Sequence, residues 1–529
     1  MIVPELRPWR TVRPHVVRAA GAVRPRLARV ARAAGPRVAR FARATTPRLA
    51  RITRPKTWQY TAGAATAGLA LAAGVVTAAG PWDSTGQRTA ERDRAVALEH
   101  TGGTDHGRGP GASGPRPAPS AGAVLAGLGG DSAPGGVKAA PGGTALADLL
   151  GPLLEDDPAL GERRAAAVVD LTTGKRLYGL GADVPLTPAS TTKIATAVAA
   201  LTALGPDHRL TTRTALEADT GELVLVGGGD PTLTARKDAR GLASLRTLAE
   251  KTAAALKKRD VRKVTLSYDT TLYSGTEMHP IGVNENLARV TALMADEART
   301  DDSASGPAPR AEDPAADAAR TFAGFLEQHG ITASAPGPSK ATNRADTLAK
   351  VSSPPLSALV ERMLTNSDND LAEALARHTA LATGKPADFD GAGAAVAARL
   401  KQLGLPVRGA RFHDGSGLDR EDLVSAELLT ALLAKAADPA GPQLRTVLTG
   451  LPVGGFTGTL TSRYTDGAAG LVRAKTGTLT GVNTLAGTVV TTDGRLLGFA
   501  FLASATTDAW AAQAALDRAA TSLASCGCA

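Results

Sequence analysis

Ser190 and Lys193 lie three residues apart in Pro188-Ala189-Ser190-Thr191-Thr192-Lys193, directly ahead of an apolar run from Ile194 to Leu204 that stops at Gly205-Pro206. Proline at a first helical position and Gly-Pro after the run are start and stop signals, and Ala195, Val198, Ala199 and Leu201 keep helical spacing between them. Residues three apart on a helix are surface neighbours, so the lysine amine reaches the serine hydroxyl. A serine hydroxyl attacks a carbonyl only when a base takes its proton, and a lysine kept neutral by burial or by a second cation is such a base. At a helix N-terminus the serine's own N–H also faces any oxyanion formed there. The pair points to acyl transfer through a serine ester, although a Ser-x-x-Lys alone is a chance-level motif in a chain of 529 residues and fits an ordinary amphipathic helix equally well.

Two later stretches change that balance. Thr365-Asn366-Ser367-Asp368-Asn369-Asp370 precedes a helical pattern of Leu371, Leu375 and His378; alone it reads as an N-cap with an acidic first turn. Arg473-Ala474-Lys475-Thr476-Gly477-Thr478 lies between Leu471-Val472 and the strand-like Asn483 to Val490; alone it reads as a polar strand end and turn. Taken in order, Ser-x-x-Lys, Ser-Asp-Asn and Lys-Thr-Gly form the motif set of class A β-lactamases and penicillin-binding proteins. Around it stand Leu225-Val226-Gly227-Gly228-Gly229-Asp230-Pro231-Thr232-Leu233, Asp414-Gly415-Ser416-Gly417-Leu418, Leu451-Pro452-Val453-Gly454-Gly455 and Gly458-Thr459-Leu460. With these flanks the chain, from Leu146 to its C-terminus, resembles the D-alanyl-D-alanine carboxypeptidase/endopeptidase family of low-molecular-mass class C penicillin-binding proteins.

The resemblance implies an α+β fold: a serine β-lactamase/transpeptidase-like domain, with a five-stranded antiparallel sheet and helices on both faces, interrupted by a smaller α/β insert. It implies peptidoglycan stem peptides as substrate and β-lactams as covalent inhibitors, with no cofactor and no metal. Ser190 would be the nucleophile and Lys193 its base, Ser367 the proton carrier to the leaving nitrogen, and Asn369 a ligand of both substrate and Lys193. Lys475, Thr476 and Thr478 would hold the substrate carboxylate, the charge of Lys475 would help keep Lys193 neutral, and Gly477 would let the strand approach the substrate. The backbone N–H groups of Ser190 and Thr478 would form the oxyanion hole. A β-lactamase, a membrane-bound penicillin sensor or an inactive scaffold would carry the same triplet. Whether carboxypeptidase or endopeptidase action dominates stays open.

These residues need elements to hold them. Periodicity predicts a helix at Leu146–Leu154 and strands at Ala165–Leu171 and Lys175–Tyr178 ahead of the Ser190 helix. Strands at Glu222–Val226 and Val261–Tyr268 flank a predicted helix at Leu242–Lys258, and the Asp/Ala/Pro-rich stretch Thr300–Pro314 reads as a mobile loop. Helices are predicted at Leu356–Leu364, Asp370–Ala382, Ala392–Leu403, Ser425–Ala436 and Leu444–Leu451. A closing hairpin, Thr484–Thr491 and Arg495–Ala503, precedes a final helix at Asp508–Ser525. The catalytic domain is thus expected over 144–209 and 352–529, with the insert over 210–351. Ser190 and Ser367 are only 177 positions apart, so the further small domain often carried by relatives is expected to be reduced or missing.

Charge bounds the remaining functions. Residues 1–56 hold 15 Lys and Arg against the one acid Glu5, so within a formal net charge of +10 the rest of the chain is mildly acidic. That pattern argues for a disordered polybasic arm that meets anionic lipid, and against a folded nucleic-acid module. Thr57–Trp82 follows with no charged side chain, long enough to cross a bilayer, with Trp58, Tyr60 and Trp82 at its ends. It reads as a signal-anchor with the arm cytoplasmic and the catalytic part outside, or as a signal cleaved near Val76-Thr77-Ala78 that would leave the protein secreted. The Gly/Pro-rich stretch 83–143 reads as a disordered linker. The eight histidines show no metal-binding spacing. Cys526 and Cys528, the only cysteines, are too close for an unstrained structural bridge, so they would be free or pair between chains. Oligomeric state is not readable.

Overall fold

The computed structural model describes residues 143–526 apart from 218 and 466. The expected basic arm and membrane-spanning segment, and all but the last residue of the linker, lie outside the described residues. Among the described residues no helix is long and apolar enough to cross a membrane.

The chain enters through α1 (Gly143–Leu154) and a hairpin of β1 (Arg163–Asp170) and β2 (Arg176–Leu180). A 3₁₀ turn at Ala189–Thr191 then leads into α2 (Thr192–Leu204). Ten consecutive residues of α2, Thr192 to Leu201, are buried, because this helix runs through the interior of the domain and has no solvent face.

The chain next leaves for a second sheet built from β3 (Thr211–Leu216), β4 (Glu222–Val226), α3 (Leu245–Lys257), β5 (Lys263–Asp269), α4 (Pro314–Gln328), β6 (Thr332–Ala333), β7 (Gly337–Pro338) and β8 (Asp346–Ser352). Its strand order is β6-β5-β4-β3-β8, with β7 also on β5; β4 and β5 run parallel, and β3 pairs antiparallel with both β4 and β8. Ser244 and Asp313 cap α3 and α4 through their side chains, and Leu248, Leu256, Phe322 and Leu326 bury their apolar faces together against the sheet.

The chain returns through α5 (Leu356–Asn366), α6 (Asn369–Ala382), α7 (Phe389–Gln402), α8 (Ala426–Ala437) and the short α9 (Arg445–Thr449). It closes with β9 (Val472–Leu479), β10 (Val482–Val490), β11 (Leu496–Ser504) and α10 (Ala509–Ser525). These strands join the first hairpin in an all-antiparallel sheet of order β2-β1-β11-β10-β9. Alternation along β1 divides its side chains between two cores: Ala165, Ala167 and Val169 face the α2/α5/α6/α8 side, while Ala166 and Val168 face α1 and α10. That is the five-stranded antiparallel sheet with helices on both faces that the motifs imply.

Five elements are absent from the sequence reading: the strands β3, β6, β7 and β8 and the helix α4. β3 and β8 pair across 130 residues, and their polar faces hide the period-2 signal, although the Asp313-Pro314 cap-and-start of α4 was available. Thr300–Pro314 is no mobile loop either: Thr300 and Pro309 bond across it, Arg236 donates to the carbonyl of Ser303 at 2.7 Å, and Arg310 is paired with Asp370 at 2.8 Å. Finally, Cys526 is disulfide-bonded and is not a free thiol.

Candidate active site

The turn that carries Ser190 is held from behind. Ala189 takes a left-handed conformation at φ 47°, unfavourable for a residue with a Cβ by about 1–3 kcal/mol. The carbonyl of Pro188 accepts from the hydroxyls of Thr191 and of Thr484 on β10, each at 2.7 Å. Two glycines make room for the turn. A Cβ on Gly477 would stand 2.7 Å from the Pro188 carbonyl and 2.1 Å from the Thr484 hydroxyl, and one on Gly417 would stand 2.0 Å from the carbonyl of Ala189. Gly477 on β9 therefore seats the Ser190 turn, a demand on this position beside the close approach of substrate expected from the sequence. Gly477→Ala is expected to lower the acylation rate by about tenfold to a hundredfold through displacement of that turn, while the protein stays folded; stopped-flow acylation beside a thermal melt checks it.

Ser190 sits one step ahead of α2, and Lys193 lies in its first turn. The lysine amine is fully buried and meets three oxygens: Ser190 Oγ at 2.9 Å, Asn369 Oδ1 at 2.7 Å and the carbonyl of Ser416 at 2.6 Å. Burial lowers its pKa to about 8, against the opposing charges of Asp414, Glu373, Asp368 and Asp422. The geometry then dictates where the lone pair of the neutral amine points. Two of the three partners are carbonyl oxygens that only accept, so the two N–H bonds serve them and the lone pair faces the one hydroxyl, that of Ser190.

Ser367 caps α5 in the left-handed conformation, φ 58° and ψ 40°, and Asp368 caps α6 by accepting from Leu371 N–H. The same short link thus ends one helix and starts the next. Asn369 also donates from Nδ2 to the carbonyl of Asn286 in the second-sheet segment at 2.8 Å. A cleft of about 280 Å³ is lined by Ser190, Ser367, Asn369, Thr476 and Thr478, with Asn286, Ser305, Gly306, Leu418 and Thr459 among its walls.

Lys475 departs from expectation. It is fully buried, donates to the carbonyl of Thr476 at 2.8 Å, and is not among the cleft-lining residues. Burial pushes its pKa well down, and the charges of Lys193 and Arg463 push it further. For Lys193 the lowering cause is burial, so desolvation is what favours the neutral form of the amine. The groups that face the cleft from β9 are the hydroxyls of Thr476 and Thr478, with Thr476 bonded to Thr459 at 3.0 Å.

The roles of several residues escaped the sequence reading. Asp414 accepts from the backbone N–H groups of Ser416, Gly417 and Asp419, which aims the Ser416 carbonyl at Lys193. His279, 135 positions away, bonds Asp414 at 3.0 Å. Burial works to raise Asp414, but that bond and the Gly417 and Asp419 amides hold it below the usual carboxylate range. Glu373 accepts from Gly415 N–H and pairs with buried Arg377 at 3.5 Å. His279, Glu373 and Asp414 have the ligand types and spacing of a metal site, as do Glu297, Asp368 and Asp370. In both groups the carboxylates already meet protein donors, Arg377 and His279 in the first, Arg310 and Arg362 in the second. The Asp-Gly-Ser-Gly turn signal hinted at the first group and the acidic first turn at Asp368 and Asp370 at the second, but nothing local hinted at His279, Glu373 or Glu297.

Comparison with known proteins gives the family. A family model described as D-Ala-D-Ala carboxypeptidase 3 (S13) matches residues 146–300 and 300–523. The chain is 36% identical over 379 residues to carboxypeptidase DacB of Mycolicibacterium smegmatis, covering 68% of this chain and 80% of that protein. It is 29% identical over 431 residues to a D-alanyl-D-alanine carboxypeptidase of Actinomadura sp., covering 67% and 80%. Among solved structures, penicillin binding protein 4 of Haemophilus influenzae shares the fold, with a TM-score of 0.57 at 22% identity over 70% of this chain and 97% of that one.

Proposed function

The chain belongs to the D-Ala-D-Ala carboxypeptidase 3 (S13) family, and from that premise we propose that it trims peptidoglycan stem peptides through an ester on Ser190. The observation that carries this reading is the buried Lys193 amine, whose lone pair has only the Ser190 hydroxyl to receive a proton from. Ser190 Oγ adds to the carbonyl carbon of the penultimate D-alanine as Lys193 takes its proton. The oxyanion is met by the N–H groups of Ser190 and Thr478. The C–N bond then breaks, and Ser367 passes the proton to the departing D-alanine nitrogen. Asn369 aligns Lys193 and substrate, and the hydroxyls of Thr476 and Thr478 receive the terminal carboxylate, with the buried Lys475 behind them. Water hydrolyses the ester and frees the enzyme. A cross-link ending in D-alanine follows the same steps as an endopeptidase substrate, and a β-lactam leaves an ester that is slow to hydrolyse.

In this reading 144–209 and 352–529 form the catalytic domain, and 210–351 is an insert that lends Asn286 to the cleft wall. Residues 57–82 anchor the protein in the membrane, with the basic arm inside and the catalytic domain outside, or are removed on secretion; the charge boundary at Lys56 supports either outcome.

The test uses the full chain. With a muropeptide ending in D-alanyl-D-alanine, free D-alanine should appear, and benzylpenicillin should add its mass to the peptide containing Ser190. A stable adduct with no D-alanine released and no cross-link cleaved would replace the hydrolase with a penicillin sensor.

A further inference from the structure

Asp296, Glu297 and Ala298 are three successive residues with a Cβ in the left-handed region, at φ 52°, 56° and 53°. Single residues visit that region; three in a row make a left-handed turn, which L-residues adopt only where the surroundings enforce it. The enforcing contacts come from the Gly-Gly-Gly-Asp-Pro stretch that the catalytic steps leave unused. Glu297 N–H donates to the carbonyl of Pro231 at 2.9 Å, and Asp296 N–H to that of Leu233 at 2.7 Å. The Asp296 carboxylate accepts from Thr234 Oγ1 at 2.6 Å and from Ala235 N–H at 3.0 Å. The turn delivers the Glu297 side chain, 1% exposed, to Arg362 on α5, the helix that ends at Ser367, while its other oxygen accepts from Arg299 at 2.8 Å. Arg362 then reaches Asp368, the residue after Ser367, at 3.3 Å. On the far side Arg310 donates to Asp370 at 2.8 Å and also to the Glu297 carbonyl.

We propose that Glu297 is a positioning residue for Ser367: through Arg362 and Asp368 it holds that residue in its catalytic geometry, which makes the second-sheet segment a working part of the active site. The proposal rests on the assignment of Ser367 as a catalytic group. Arg362 is half-buried and shared between Glu297 and Asp368, so loss of the first carboxylate leaves it to rearrange or draw in water. Here the residue free to move with Arg362 is Asp368, whose side chain caps α6 and whose neighbours are the two catalytic groups.

The test is a double-mutant cycle in the full chain, read as the second-order rate of benzylpenicillin acylation and as the split between kcat and KM on the muropeptide. Glu297→Ala should lower acylation by about tenfold to a hundredfold, chiefly in kcat. In a Ser367→Ala background the same change should cost under about twofold more, because the group it positions is gone. Glu297→Gln keeps an acceptor for Arg362 and should recover most of the rate; it also serves if the alanine variant does not fold, in which case its smaller loss must vanish in the Ser367→Ala background. Equal losses in both backgrounds, or a wild-type rate in Glu297→Ala, would overturn the proposal. A wild-type rate in Ser367→Ala alone would overturn the assignment of Ser367 and the proposal with it.

Discussion

Ser190→Ala should abolish acylation: penicillin labelling and D-alanine release are both expected to fall by about 10⁴-fold or more, the scale on which loss of a nucleophile is felt in serine hydrolases. Oγ is the only heavy atom this change removes, and it is bonded to Lys193. The turn's other restraints, the Thr191 and Thr484 hydroxyls on the Pro188 carbonyl, are untouched. The variant should therefore fold and melt within a few degrees of the parent, so that lost activity reports chemistry and not collapse. Intact-mass spectrometry after incubation with benzylpenicillin gives the answer directly. An adduct that persists on the variant would move the nucleophile elsewhere in the cleft, with Ser367 the first place to look.

The second large effect concerns Lys193. Because only its neutral form takes the proton, and its pKa is lowered to about 8 by burial, kcat/KM should rise with pH through that value. Below it, the rate should fall by about tenfold per pH unit as the amine is protonated. The direction follows from the charge: lower pH loads the amine with the proton it must be free to accept. Lys193→Ala should remove this limb from the profile along with about 10²- to 10⁴-fold in rate. Lys193→Arg should do no better, since a guanidinium does not give up its proton. Second-order acylation rates measured from pH 5 to pH 9.5 for the parent and both variants decide the matter. If the variants kept the same limb, Lys193 would not be the base.

Much of the site was legible because its decisive relation is local. Ser190 and Lys193 are three apart, and no distant part of the chain is needed to bring them together on consecutive turns of a helical segment. The link at Ser367–Asn369 was legible for a similar reason: a polar cluster between two helical patterns has to cap one and start the other. Strands β10 and β11 and helix α10 were found within a few residues of their observed ends, since long runs with a single period bury one way only. The opening of α2 was less well read. Pro188 predicts a plain helix start, whereas the chain passes through left-handed Ala189 and a 3₁₀ turn, a path imposed by β9, β10 and Gly417 from elsewhere in the sequence.

The three motif stretches were readable in the chain because each lies within a dozen residues, and the antiparallel sheet with helices on both faces was an expectation of the family resemblance that those motifs carry. Tertiary structure alone decided how the chemistry of those motifs is tuned. Burial of Lys193 and Lys475 depends on elements packed from both halves of the chain. The oxygen that turns the Lys193 lone pair toward Ser190 belongs to Ser416, 223 positions away, aimed by Asp414, which is bonded in turn to His279. The left-handed turn at Glu297 exists only because the carbonyls of Pro231 and Leu233 meet it. Contacts of that range leave no periodic trace in the chain, since each residue's role is set by partners whose distance in sequence is arbitrary and whose proximity is a product of folding.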